Sequence, residues 1–280
     1  MRNNLRILSL GAGVQSSTLA LMIEKGQVPM VDAAIFADVK GEPKAVYEWL
    51  AYLKTQITKF PIHVVTWRNL KQDILDAAKG EYKAFTAPFF TKNVETGKKG
   101  MLRRQCTADY KIKPVVQKIR DLLSLEKGEK RKKGTKVELI MGISKDEISR
   151  MRTNPLKYIS NIYPLVEKEM KRSDCLDWMK DNGYSKPPRS ACTFCPFHSM
   201  KEWRELKKNK EEWDEIVAMD KAIRSQERFK EKNLGSGSIK DELYLHNKCV
   251  PIDEIDFDED DKQGDFLFGM ENECEGMCGN

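Results

Sequence analysis

The first candidate site is a run of small, hydrogen-bonding residues that interrupts an apolar stretch near the amino terminus. The sequence "LSLGAGVQSSTLALM" covers residues 8–22 and passes from apolar residues to glycines and hydroxyls before a helical pattern resumes. A turn between a strand and a helix directs backbone N–H groups and a helix N-terminus at one point, which suits an anion. A serine-capped turn without a ligand is the alternative, but so many adjacent hydrogen-bonding residues favour phosphate binding.

The second candidate site is a group of closely spaced cysteines. The segment "SACTFCPFHS" at residues 190–199 holds Cys192, Cys195 and His198, and Cys106 is expected to lie within reach of them. The amino terminus does not resemble a signal peptide, so we expect a cytoplasmic protein, in which close cysteines indicate metal or thiol chemistry rather than disulfides. Three thiolates and an imidazole suit structural zinc, and thiolates also hold iron–sulfur clusters. The residue types are compatible with either a zinc ion or an iron–sulfur cluster.

Charge is distributed unevenly along the chain. Residues 251–280 contain eleven Asp or Glu and one Lys, a net charge of −10, so the total of +6 leaves +16 on residues 1–250. A basic body favours phosphate-rich partners, either nucleotides or nucleic acid. The segment "KGEKRKKGTK" at 127–136 is the densest basic stretch and is predicted to be an exposed loop. No apolar run approaches the roughly 20 residues that cross a bilayer, so we expect no membrane partner.

Alternating strands and helices are predicted to position these groups. The predicted strands cover residues 5–10, 31–38, 60–67 and 137–142, and the predicted helices cover 16–25, 43–57, 70–80, 106–123 and 199–232. This order indicates an α/β fold with a doubly wound parallel sheet, Rossmann-like, in which ligands bind beyond the carboxyl ends of the strands. Residues 11–17, Asp38 and residues 142–146 all follow predicted strands, so we expect them to face one crevice.

Three regions are expected along the chain. Residues 1–165 form the nucleotide-binding α/β domain, residues 166–250 a helical, cysteine-bearing extension, and residues 251–280 an acidic tail. One face of the helix predicted at 199–232 is apolar, which favours packing or a homodimer surface.

Several segments resemble one enzyme family. The run "GAGVQSS" resembles the PP-loop of the ATP pyrophosphatase superfamily, Ser-Gly-Gly-x-Asp-Ser, with glycine, alanine and glutamine replacing its first serine, first glycine and aspartate. The segments "IFADVKGEPKAVYEWL" and "QCTADYKIKPV" resemble the phosphoadenylyl-sulfate (PAPS) reductase-like branch, although Val39 and Lys40 replace its usual Thr-Gly. These matches span roughly residues 5–200 and are far more specific together than the loop alone.

The resemblance implies a set of site residues and cofactors. The ligand is an adenine nucleotide, either ATP with Mg²⁺ or an adenylyl sulfate, and the catalytic cations are Arg150, Arg152 and Lys111. The nucleotide-binding residues are Ser9, Gly11, Ala12, Gly13, Gln15, Ser16, Ser17, Asp38 and Gly142. Cys106, Cys192 and Cys195 correspond to ligands of a 4Fe-4S cluster, with zinc as the alternative and His198 as its further ligand. Cys274 in the tail weakly resembles the mobile nucleophile of the reductases.

Two reactions and one non-catalytic role fit these features. The first reaction is reduction of a sulfonucleotide, with a thioredoxin-like thiol reductant as partner. The second is ATP-dependent sulfur transfer to tRNA or another nucleic acid, in which a three-cysteine cluster supplies the sulfur. The non-catalytic alternative is a nucleotide- or nucleic-acid-binding protein with structural zinc.

Overall fold

A computed structural model describes residues 4–81, 85–126, 128–225 and 241–258. The strands are β1 (Asn4–Leu10), β2 (Ala33–Ala37), β3 (Ile62–Val65), β4 (Phe90–Lys92), β5 (Lys99–Met101), β6 (Lys136–Ile140), β7 (Ile159–Ile162) and β8 (Glu242–Tyr244). The helices are α1 (Val14–Glu24), α2 (Lys44–Gln56), α3 (Leu70–Ala78), α4 (Lys113–Leu122), α5 (Pro164–Glu167), α6 (Arg172–Asp181), α7 (Met200–Lys208) and α8 (Lys210–Arg224). No helix of the described residues is long and apolar enough to span a bilayer.

Five strands form a parallel sheet in the order β3-β2-β1-β6-β7. This sheet confirms the predicted α/β, Rossmann-like fold class. Strands β1, β2, β3 and β6 were predicted, whereas β7 was not, because its four residues, Ile-Ser-Asn-Ile, contain no continuous apolar run.

Both faces of the sheet are covered, as its apolar strands require. Leu8 and Leu10 belong to a core with α1, α2 and α6, whereas Ile7 belongs to a second core with α4. All five residues of β2 are buried, and so are the first ten residues of α1. Helix α1 packs on the sheet on one side and against α6 on the other. Its polar residues therefore lie inside the protein.

The chain divides into two compact units. Of the described residues, 4–67, 107–126 and 128–190 belong to the first unit, and 68–81, 85–106, 191–225 and 241–258 belong to the second. The predicted boundaries at residues 165 and 250 differ from this division. The physical reason is long-range pairing, since β4 pairs antiparallel with β8, which lies about 150 residues further along the chain.

The second unit combines a small antiparallel sheet with charged helices. Its sheet has the order β5-β4-β8, and α3 packs against α8. The buried carboxylate of Asp220 accepts hydrogen bonds from Arg224 Nε at 2.9 Å, Leu245 N at 3.2 Å and Ile252 N at 3.1 Å. The apolar face of the predicted charged helix is buried within this unit, as Trp203 and Ile216 show. The predicted packing role of that face is therefore confirmed.

Candidate functional site

The candidate site lies at the switch point of the parallel sheet. Strand β1 pairs with β2 on one side and with β6 on the other, and the order of strands along the chain reverses between β1 and β6. The loop of residues 11–13 follows β1, and residues 141–144 follow β6, so both loops leave the sheet at the same edge. In doubly wound sheets the carboxyl ends of the strands at this point form the ligand crevice.

The glycine loop, residues 11–13, is buried and tightly turned. Ala12 adopts a left-handed conformation with φ 60°, and Gly13 precedes α1 in an extended conformation without a side-chain cap. Gly11 N donates to Ser16 Oγ at 3.2 Å, and Trp49 Nε1 donates to Ser17 Oγ at 2.8 Å. A hydroxyl that accepts a hydrogen bond retains its own proton for donation. The loop therefore orients two hydroxyl donors next to the N-terminus of α1.

Gln15 bridges opposite charges. Its Nε2 donates to Glu147 Oε2 at 3.2 Å and lies 3.4 Å from Ser144 Oγ, while its Oε1 accepts from Arg172 Nη1 at 3.0 Å. The side chain of Gln15 is completely buried. An amide satisfies a carboxylate and a guanidinium together, because it carries both donors and acceptors. A carboxylate at this position would face Glu147, so the glutamine fits the surroundings that this chain provides.

The three arginines near this edge differ in their contacts. Arg150 Nη1 forms an ion pair with Glu147 Oε1 at 2.6 Å, which attaches it to the network of Gln15. Arg152 Nη1 instead donates to the carbonyls of Ser149 and Met151 at 2.6 and 2.8 Å, in its own loop. Arg172 was not among the predicted residues, because its proximity to Gln15 depends on the packing of α6 against α1 and not on a local motif.

Asp38 is engaged on both carboxylate oxygens. Its Oδ1 accepts from Lys40 N at 2.8 Å and from Tyr47 Oη at 2.9 Å, and its Oδ2 lies 2.7 Å from Lys40 Nζ. Burial and then the neighbouring Asp38 carboxylate raise the pKa of Tyr47, so its hydroxyl stays protonated as a donor. Lys40 has φ 60°, in the left-handed region that favours glycine. Asp38 therefore stabilises the turn that this left-handed lysine occupies.

Lys111 forms a buried ion pair. Its Nζ lies 3.3 Å from Glu42 Oε1, and the two side chains are only 6% and 1% exposed. Ser190 Oγ donates to the other oxygen of Glu42 at 3.2 Å. Lys111 belongs to a π-helical turn, Thr107–Ile112, within the stretch where a regular helix was predicted. Such turns are frequent at functional sites, but the charge of this lysine is already balanced by Glu42.

An exposed tryptophan lies at the same edge of the sheet and was not predicted. Trp67 is 47% exposed and follows β3, whose last residue, Val65, accepts a hydrogen bond from Asp38 N at 2.8 Å. Lys113 Nζ lies 4.1 Å from the centroid of the indole ring. Neighbouring strands are about 4.8 Å apart, so β3 lies about 10 Å from β1. No sequence pattern indicates this residue as part of a site, because exposure of a single tryptophan is decided by the packing around it.

The predicted metal ligands lie in the second unit. Cys106, Cys192 and Cys195 are half-buried thiols, and the C-x-x-C segment forms a turn in which Cys195 N donates to Cys192 O at 2.9 Å. His198 Nε2 lies 2.8 Å from the same carbonyl oxygen, and its ring packs edge-to-face on Trp203 at 4.8 Å. The imidazole of His198 therefore contacts the backbone of the turn.

The described residues do not support the predicted metal centre. Within 4–81, 85–126, 128–225 and 241–258, no group of three His, Cys, Asp or Glu side chains is arranged to hold a metal ion. The predicted 4Fe-4S cluster and the alternative zinc site at Cys106, Cys192, Cys195 and His198 are therefore unsupported by the described residues. Cys274, the predicted nucleophile, lies outside the described residues.

Comparisons with known proteins find a likeness to solved structures. No protein-family model and no curated protein matches the sequence. The chain is similar to a crystal structure of PAPS reductase from Candida auris in complex with phosphate, with 12% identity and a TM-score of 0.41. The similarity covers 67% of this chain and 76% of that chain. The fold class is assigned from the strand pairing of this chain and not from the likeness.

Proposed function

We propose that the first unit binds an adenine nucleotide and that the protein is a PAPS reductase-like PP-loop enzyme acting on sulfur. The observation that carries this proposal is the connection between two loops at the switch point. Gln15, two residues after the glycine loop, donates a hydrogen bond to Glu147 in the segment that follows β6. Glu147 in turn forms an ion pair with Arg150. Loops joined in this way form a preorganised edge for a phosphate-bearing ligand.

Two guanidiniums lie at this edge, those of Arg150 and Arg172. Arg150 pairs with Glu147 Oε1 at 2.6 Å, and Arg172 donates to Gln15 Oε1 through its side chain and to Asp146 Oδ1 through its backbone N–H. The hydroxyls of Ser16 and Ser17 and the N-terminus of α1 add donors on the side of β1. In the proposed arrangement the phosphates lie between these donors and the two arginines.

The nucleoside is proposed to extend from β1 across β2 towards β3. This direction brings the ribose near the turn after Asp38 and the base near Trp67. An exposed indole with a lysine on one ring face can stack a base on the other face. The carboxylates of Asp38 and Glu147 are both ion-paired, so they are not arranged to hold Mg²⁺, which would enter with the phosphates of ATP.

The proposed sulfur chemistry is reductive. A thiolate, for which Cys274 is the candidate, attacks the sulfur of an adenylyl sulfate, and the S–O bond to the nucleotide phosphate breaks with release of the nucleotide. The cysteine then carries an S-sulfonate group. A thioredoxin-like dithiol attacks the cysteine sulfur, releases sulfite, and becomes a disulfide after a second thiol resolves the mixed disulfide.

A second candidate is ATP-dependent sulfur transfer to tRNA or another nucleic acid. The basic loop at 128–136, all but one of whose residues are exposed, favours this candidate because it suits a polyanionic acceptor. We derive no step through an iron–sulfur cluster, since the described cysteines do not form a group that holds one.

Calorimetric titration of the full-length protein tests the nucleotide site. ATP, adenosine 5′-phosphosulfate and inorganic triphosphate are compared on wild-type protein and on Trp67→Ala, with Trp178→Phe as the tryptophan control. We expect Trp67→Ala to weaken ATP roughly tenfold or more and to leave triphosphate unchanged, because only ATP carries a base. Failure of the wild type to bind any adenine nucleotide rejects the proposal. Release of sulfite or of pyrophosphate then distinguishes the two reactions.

A further inference from the structure

The basic loop of the first unit, residues 128–136, lies at the opposite edge of the sheet from the nucleotide site. It precedes β6, whose first residue, Lys136, pairs in register with Asn4 at the start of β1. The candidate nucleotide loops follow the other ends of these strands. A strand of five residues at about 3.3 Å per residue separates the two edges by about 17 Å. The basic loop therefore lies outside the proposed nucleotide site.

Hydrogen bonds fix the start and the end of this loop. The guanidinium of Arg120 donates to the carbonyls of Glu126 and Glu129 at 3.0 and 2.9 Å. Glu126 N donates to Glu129 Oε2 at 2.8 Å, so the acidic side chain of the segment turns back onto the backbone. Thr135 Oγ1 donates to Lys132 O at 2.8 Å and closes the other end. These contacts hold the carboxylate at the base of the loop, away from most of its cations.

The cations of the loop face solvent. The exposed basic residues are Lys130, Arg131, Lys132, Lys133 and Lys136. Within the described parts of the chain, none of these four lysines forms an ion pair. Exposed lysines of the second unit do, since Lys208 and Lys210 lie 2.7 and 2.6 Å from carboxylates one helical turn away. The loop thus concentrates positive charge that the described fold does not neutralise.

One aromatic residue is built into this surface. The guanidinium of Arg131 lies 4.7 Å from the centroid of the Tyr158 ring, which orients the arginine by a cation–π contact. The segment 128–136 contains no apolar side chain that could insert into a lipid layer. Lysines adjacent in the sequence and an oriented arginine instead suit the phosphates of a nucleic-acid backbone.

We propose that residues 128–136 with Tyr158 form a nucleic-acid-binding surface that contacts the phosphodiester backbone. The surface recognises charge and spacing, so it anchors the nucleic acid without reading its sequence. Because it lies at the far edge of the sheet, its loss leaves binding of a nucleotide at the glycine loop unchanged.

Fluorescence anisotropy of the full-length protein tests this surface. The probes are a short labelled DNA duplex and a labelled RNA hairpin with the same number of phosphates, each titrated over a range of salt concentrations. The loop variant carries Lys130→Gln, Lys132→Gln and Lys133→Gln. The control variant carries Lys201→Gln, Lys208→Gln and Lys210→Gln, which removes the same charge from exposed helices of the second unit.

For the duplex, we expect the slope of log Kobs against log salt to decrease by about 0.9 for each phosphate contact that the loop variant loses. The control variant should keep the wild-type slope on both probes. A loop-dependent slope on one probe identifies DNA or RNA as the ligand. The proposal is overturned if wild type binds neither probe, if both variants lose the same slope, or if only anionic vesicles of phosphatidylserine respond to the loop substitutions.

Discussion

The edge behind β1 and β6 and the cysteine turn of the second unit were both predicted from short motifs, but they are built differently. At the first, Gln15 contacts Glu147 and Arg172, which lie more than 130 residues away in the sequence. At the cysteine turn, the carbonyl oxygen of Cys192 accepts from Cys195 N at 2.9 Å and lies 2.8 Å from His198 Nε2, both within six residues. Packing of distant elements thus brings charged groups together at the first region, whereas these backbone contacts define a local turn at the second.

Removal of the buried cation near the first region should have the largest effect on stability. Lys111→Met leaves the carboxylate of Glu42 buried without its cation, and we expect the free energy of unfolding to fall by about 3–5 kcal/mol. Urea denaturation followed by circular dichroism measures the change. The double variant Lys111→Met/Glu42→Met should recover most of the loss. If the single substitution costs no more than the double, the ion pair does not stabilise this region.

An aspartate in place of Gln15 should destabilise this chain. Gln15→Asp removes the donor to Glu147 and places a second carboxylate beside it, and we expect a loss of about 2–3 kcal/mol at neutral pH. The loss should shrink in mild acid, because protonation of one carboxylate relieves the repulsion. Gln15→Asn keeps a neutral amide and serves as the control in thermal melts at both pH values. A stability loss independent of pH would contradict the electrostatic explanation.

The cysteine turn should tolerate change better than either position. Cys192→Ser alters a half-buried side chain in a local turn, so we expect a loss below about 1 kcal/mol and no change in melting temperature on addition of a chelator. Differential scanning fluorimetry with and without chelator measures both. Cys249→Ser, at a buried thiol whose pKa is raised by burial, is a control outside the turn. Stoichiometric zinc or iron that stabilises the wild type but not Cys192→Ser would restore the predicted metal centre.

Elements defined by residues close together in the sequence were predictable, whereas those defined by contacts between distant residues were not. Strand β2, around Ile35, is an uninterrupted apolar run buried on both faces, and β1, around Ile7, is apolar from Leu5 onwards apart from Arg6 and Ser9, so both indicated strands of a parallel sheet. The glycine loop was predictable for the same reason, since its turn follows directly from a buried strand.

The remaining parts of the site depend on contacts that no local pattern records. Arg172 reaches Gln15 only because α6 packs against the buried helix α1, and Glu147 lies in a short 3-10 turn without a motif of its own. The division into two units rests on the pairing of β4 with β8, two strands of three residues each. Segments this short carry too little periodicity to be assigned from the sequence.

The most direct test of the central claim is the affinity of the full-length protein for ATP in two matched arginine variants, measured by calorimetry. Arg172→Gln removes the cation that contacts Gln15, whereas Arg152→Gln removes one that is bound to carbonyls of its own loop. The account predicts that Arg172→Gln weakens ATP binding roughly tenfold or more and that Arg152→Gln keeps wild-type affinity. Equal affinity in both variants, or a larger loss in Arg152→Gln, would contradict a nucleotide site at the switch point of the sheet.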